Sequence, residues 1–208
     1  MMKKYLMLTA VAATMATGAS AGFQSGFHGG VTAGYAYNSM KMSKDGTVLS
    51  KSSASGFVPG VSLGYLRSMG SCLVDVVLAL DFNSASLKAK DAAGNVQATY
   101  KPRFDFTLIG RFGRVVSDKV AAFIGLGLGY DLDKVTTTNS SYNVKSFSVT
   151  PELGMRFAVN DKISLTATAG YKFVTSVSPK TKANSDGTFT FSSKFSSFVA
   201  KVGLSYHF

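Results

Sequence analysis

Two histidines, His28 and His207, and a single cysteine, Cys72, are the residues of this 208-residue chain best suited to metal or nucleophilic chemistry. Closed zinc sites take four ligands; the histidines lie at opposite ends of the chain and have no cysteine or carboxylate trio placed beside them. Nucleophilic catalysis needs a serine or cysteine activated by a neighbouring base, and no Ser–His constellation stands out. The residues therefore predict no metal, no cofactor and no catalytic group. A lone cysteine excludes an intramolecular disulfide framework, which leaves Cys72 a packing role. Charged residues form a clearer pattern. Asp75, Asp81, Asp105, Asp131 and Glu152, with Lys101, Arg103, Arg111, Arg156, Lys172 and Lys201, occupy positions that alternate with apolar side chains. Five acids against six bases on one face point to ion pairing.

The elements that position them must be strands, because strict alternation puts successive side chains on opposite faces. Eight segments alternate in this way, near 26–38, 56–67, 72–82, 100–112, 120–131, 146–159, 163–174 and 196–208. Each is about as long as a tilted membrane strand, which needs roughly 9–11 residues. Connections near 39–55, 83–99, 132–145 and 175–195 are long and polar, and those between are short. Pro59, Pro102 and Pro151 fall inside segments, where a missing N–H marks a bulge or a strand end.

One face of each segment is apolar, with Arg67 as its one charge. A charge at the bilayer midplane costs about 2–4 kcal/mol in a barrel, so the pattern is the one such a penalty selects. Aromatics gather at the segment ends. Tyr37, Phe57, Phe82, Tyr100, Tyr130, Phe147, Phe173 and Phe198 predict one girdle, and Phe27, Tyr65, Phe112, Phe157, Tyr206 and Phe208 the other. A soluble eight-stranded barrel shares the alternation but needs charge outside and too little bulk inside to match this chain. Residues 1–21 read as a cleaved secretory signal, with Lys3 and Lys4 before an apolar run and Ala19-Ser20-Ala21 as the cleavage site. Residues 22–208 then form an all-β, eight-stranded antiparallel transmembrane barrel with short periplasmic turns and four long external loops. The chain's formal charge is +11, but its bases are scattered, which argues against nucleic acid.

The end of the chain carries a further signal: Lys201, Gly203, Tyr206 and Phe208, the last two at the third-last and last places. This resembles the C-terminal insertion signal of bacterial outer-membrane barrels, and the chain as a whole resembles the opacity-type, OmpA-like eight-stranded outer-membrane proteins. The resemblance implies insertion by the barrel-assembly machinery of a Gram-negative outer membrane, contact with its lipid and lipopolysaccharide, and a role as surface antigen, adhesin or envelope component. A narrow porin-like channel and a lipid A-modifying enzyme are the alternatives, the latter lacking a histidine in the outer half. By depth, Asp105, Glu152 and Lys201 are expected mid-barrel, Asp75, Arg111 and Arg156 low, and Asp81, Lys101, Arg103, Asp131 and Lys172 high, as an ion-paired plug. His28 and His207 are expected inside near the periplasmic end, where the first and last strands close the barrel. The external loops carry Lys41, Lys44, Lys51, Lys88, Lys90, Lys180, Lys182 and Lys194, a basic surface suited to an anionic host polysaccharide or protein, or to lipopolysaccharide phosphate.

Overall fold

Gly70 adopts φ = +63°, a left-handed conformation that glycine takes without a Cβ penalty, and it lets Cys72 follow Met69 across a two-residue turn. Turns at 118–119 and 159–162 are similarly short. The computed structural model describes residues 23–44, 47–90, 96–137, 141–174 and 191–208; the expected signal, 1–21, and Lys180 and Lys182 lie outside the described residues. The strands are β1 (Gly26–Lys44), β2 (Thr47–Met69), β3 (Cys72–Phe82), β4 (Leu87–Lys90), β5 (Val96–Ser117), β6 (Val120–Thr137), β7 (Ser141–Ala158), β8 (Ile163–Val174) and β9 (Phe191–His207).

All pairings are antiparallel, in the order β3-β2-β1-β9-β8-β7-β6-β5-β4, and β3 pairs with β5 to close the ring. The barrel wall thus has eight staves, because β3 and β4 are two pieces of one stave interrupted at residues 83–86, both paired to β5. The first strand closes on the last with His28 opposite His207 and Lys44 opposite Phe191.

Side-chain burial is inverted relative to a soluble barrel. Val31, Leu63, Leu78, Leu108, Ile124, Leu128, Leu153, Val202 and Leu204 are exposed on the outer wall, while Asp75, Asp81, Asp131, Glu152, Arg156 and Lys172 are buried inside. An apolar outer band matches lipid, and closure leaves no unpaired sheet edge in it. The wall belongs in a membrane.

Strands run further than the alternation suggests. Segments 39–55 and 132–145, expected as loops, are largely extensions of the β1–β2 and β6–β7 hairpins. Buried Met40 and Val144 continue the inward face there. The three prolines mark interruptions. Pairing of β2 with β3 begins at Gly60, next to Pro59. The β5–β6 ladder shifts between Pro102 and Phe104. The β7–β8 ladder lacks the rungs at Thr150 and Pro151.

Candidate functional site

The lumen holds two layers of ion pairs between apolar ends. At the end with the short turns, Leu66, Leu73 and Ala121 form a buried cluster against which Phe23 and Val115 pack. Above it Asp75 accepts hydrogen bonds from Arg156 Nη2 at 2.6 Å and Arg111 Nη1 at 3.5 Å, and pairs with His28 Nε2 at 2.9 Å. Arg111 Nε donates to Glu152 at 2.6 Å, and its guanidinium lies 5.1 Å from the Phe123 ring centre. These groups come from β1, β3, β5, β6 and β7, so the layer ties most of the ring together.

The second layer is nearer the loop end. Asp81, Asp105 and Asp131 are direct cross-strand neighbours on β3, β5 and β6. Lys172 from β8 donates to both Asp105 and Asp131, and Lys201 from β9 donates to Asp81 at 2.8 Å. Tyr100 donates its hydroxyl to Asp133. A cavity of about 60 Å³ lies among these groups. Tyr100 and Phe195, which form a second apolar cluster with Met40 and Leu87, line it.

Several sequence expectations change here. Asp105 and Lys201, expected mid-barrel, belong to the upper layer, and Glu152 pairs downward with Arg111, so no separate middle layer exists. Lys101 and Arg103, expected inside, are exposed. Arg103 is the extra residue of the bulge next to Pro102, and one inserted residue turns the rest of the strand over. Tyr100 moves the opposite way: expected in the outer girdle, it is buried in the lumen. Asp133, missed because segment five was ended at Asp131, has the inward parity of its neighbour two residues back. Ser164 was missed too. Its hydroxyl lies 2.9 Å from His207 Nε2, and this pairing across β8 and β9 is not encoded in local spacing.

The two histidine rings lie side by side, with centroids 5.3 Å apart. Ser164 is buried, and the Ser164–His207 pair sits at the turn end. Among the described residues no group of three histidine, cysteine or carboxylate side chains is arranged to hold a metal ion. Cys72 is half-buried and free, opposite Arg114.

Register also organises the outer wall beyond the aromatic girdle. Lys41 on β1 stands directly opposite Lys51 on β2 and residue Lys194 on β9. Lys101 on β5 stands opposite Lys134 on β6, and Lys145 on β7 is two rungs away, opposite Leu132. Lys41, Lys51, Lys88, Lys101 and Lys145 are exposed. For Lys44, Lys90 and Lys194 the structure gives the backbone position in β1, β4 and β9 only.

Glu152→Ala is expected to lower stability by about 1–3 kcal/mol, the penalty for leaving a charged hydrogen-bond partner unsatisfied, because the ion pair left to Arg111 would be its 3.5 Å contact with Asp75. The urea midpoint of the detergent-folded barrel measures this, and an unchanged midpoint would show that Glu152 is not holding Arg111.

A search of curated proteins finds no match to the sequence. Solved structures give the fold. Neisserial surface protein A is 17% identical, with a TM-score of 0.55 over 88% of this chain and 97% of its own. The outer membrane protein OprG from Pseudomonas aeruginosa is 17% identical, with a TM-score of 0.53 over 90% of this chain and 98% of its own. With the lipid-matched wall, the closed eight-stave ring and a family model that spans residues 6–208, the chain belongs to the outer membrane protein beta-barrel domain family.

Proposed function

We propose that the protein is a non-enzymatic surface scaffold, and that the lysines on the outer wall of its extracellular extension hold anionic sugar polymer, first of all the phosphorylated core of neighbouring lipopolysaccharide. One observation carries this reading: Lys41 sits between Lys51 and Lys194 on the same rung of three adjacent strands. Like charges directly opposite on a sheet are destabilising, so such a row is favoured by a polyanion that bridges it. On the other side of the barrel Lys101 and Lys134 share a rung, with Lys145 two rungs away on β7. Lys41 is four residues beyond the girdle residue Tyr37, or about 13 Å along the strand, above the lipid but alongside the headgroup sugars.

The test compares the wild-type barrel with K41Q/K51Q/K101Q/K134Q for binding to lipopolysaccharide micelles and to immobilised heparin. Each lysine near an anionic surface contributes on the order of 1 kcal/mol, so the four changes should weaken binding roughly 100- to 1000-fold at low ionic strength. The difference should shrink with salt as the charges are screened. Loss toward lipopolysaccharide alone would place the collar's work in the envelope. Loss toward heparin alone would move it to adhesion on an external polysaccharide. Equal binding by both proteins would refute the collar. The channel alternative has less support, because buried apolar clusters lie toward both ends of the lumen. A lipid A-modifying enzyme has less still, because the Ser164–His207 pair sits at the periplasmic end.

A further inference from the structure

The upper lumen carries more negative charge than its own cations balance. Asp81, Asp105, Asp131 and Asp133 are four carboxylates lining one cavity; the cations that line it are three, Lys172, Lys201 and the exposed Arg103, and a fifth carboxylate there, Glu152, is paired with Arg111. Three of the carboxylates stand side by side on adjacent strands, where like charges destabilise a sheet. Arg111 and Arg156 do not relieve them, since they are engaged with Glu152 and Asp75 in the layer below. Buried charges need a partner or coordinate an ion.

Polar atoms around the cavity also lack partners. The Ser197 hydroxyl lines it, is 98% buried because only 2% of the residue is exposed, and has no hydrogen bond among the described residues. Asp131 Oδ2 and Asp81 Oδ1 are buried and equally unpartnered. The cavity, about 60 Å³, has room for several waters, at roughly 10–15 Å³ of such volume for each. The space is too small for a sugar or a peptide and matches an ion with part of its hydration shell. Oxygen ligands alone select hard cations.

We propose that the upper lumen binds a small monovalent cation, of the alkali-metal or ammonium class, between Asp81, Asp131 and Ser197. The site is independent of the lysine collar: it lies inside the wall, carries the opposite charge and adjoins the buried cluster of Met40, Leu87, Tyr100 and Phe195. Bound there, the cation supplies the counter-charge that lets four carboxylates share the upper lumen.

Thermal unfolding of the detergent-folded barrel tests this at fixed pH and ionic strength, in sodium, potassium or ammonium chloride against N-methyl-D-glucamine chloride, whose cation is too large for the cavity. The expected result is a saturable rise in Tm with at least one small cation. Asp131→Asn and Ser197→Ala should reduce that rise at least threefold, while Asp118→Asn, at an exposed turn, should leave it intact. Asp131→Asn should also melt no lower than wild type in N-methyl-D-glucamine, since it removes repulsion when no cation is present. Ser197→Ala, which changes no charge, keeps the test open if Asp131→Asn fails to fold. Equal Tm in all four chlorides, or a full response in both variants, would overturn the site and show that bound protons balance the carboxylates.

Discussion

Asp75→Ala is expected to lower the stability of the barrel by about 3–5 kcal/mol, the range seen when one partner of a buried ion pair is removed. Among the described residues Asp75 is the one acceptor for Arg156, a residue only 2% exposed whose Nε and Nη1 already lack partners there. The same carboxylate holds His28. Truncation would strand a guanidinium between the apolar cluster of Leu66, Leu73 and Ala121 and a small cavity, with little water to receive it. Glu152→Ala should act more weakly, because Arg111 retains Asp75. A double variant, Asp75→Ala with Arg156→Leu, should recover most of the loss, since replacing a buried pair with apolar groups is often neutral or stabilising. The measurement is the urea midpoint of the gel-mobility difference between folded and unfolded barrel. A loss below 1 kcal/mol for Asp75→Ala would mean that water or a rearranged Glu152 satisfies Arg156.

Which parts of this arrangement are legible in the chain follows from what period-two alternation encodes. It sets the face of every residue within an uninterrupted strand, so the outer band, the girdles and the inward placing of Asp75, Asp81, Asp105, Asp131, Glu152, Arg111, Arg156, Lys172 and Lys201 can be read directly. It fails at the inserted residue, Arg103, beyond which parity reverses; Tyr100 goes in and Lys101 goes out. Pro102 signals that something happens there but not which way the chain turns. Alternation also says nothing of register between strands. Hence the pairing of Ser164 with His207, the three aspartates on one rung, and the alignment of Lys51, Lys41 and Lys194 emerge only when the strands are laid side by side. Segment 39–55 reads as a loop because it is rich in Ser and Lys, whereas its structure is set by cross-strand pairing with neighbours that local composition does not reveal.

Register also decides what a glycine is for, and Gly34→Val is expected to have the second large effect. An added Cβ at Gly34 would meet Lys201 Cγ at 2.4 Å and the Ala200 carbonyl at 2.5 Å. The carbonyl is backbone and cannot swing away, so the substitution should push β1 from β9 at the seam where the first and last strands close the barrel. It should also shift the stem of Lys201, whose ammonium holds Asp81. Overpacking of this kind costs about 1–3 kcal/mol where side chains alone must move, and the backbone contact puts the expectation at the upper end or beyond. Gly110→Val is the matched control. Gly110 faces outward on β5 with nothing within 4 Å of an added Cβ, between the exposed Leu108 and Phe112. There a valine relieves the weakness of an interior strand glycine, about 0.5–1 kcal/mol, and adds lipid-facing surface. The same substitution should therefore lower the urea midpoint at position 34 and raise it at position 110. If both variants moved it in the same direction, the proximity of β9 to Gly34 would not be what keeps that position free of a side chain.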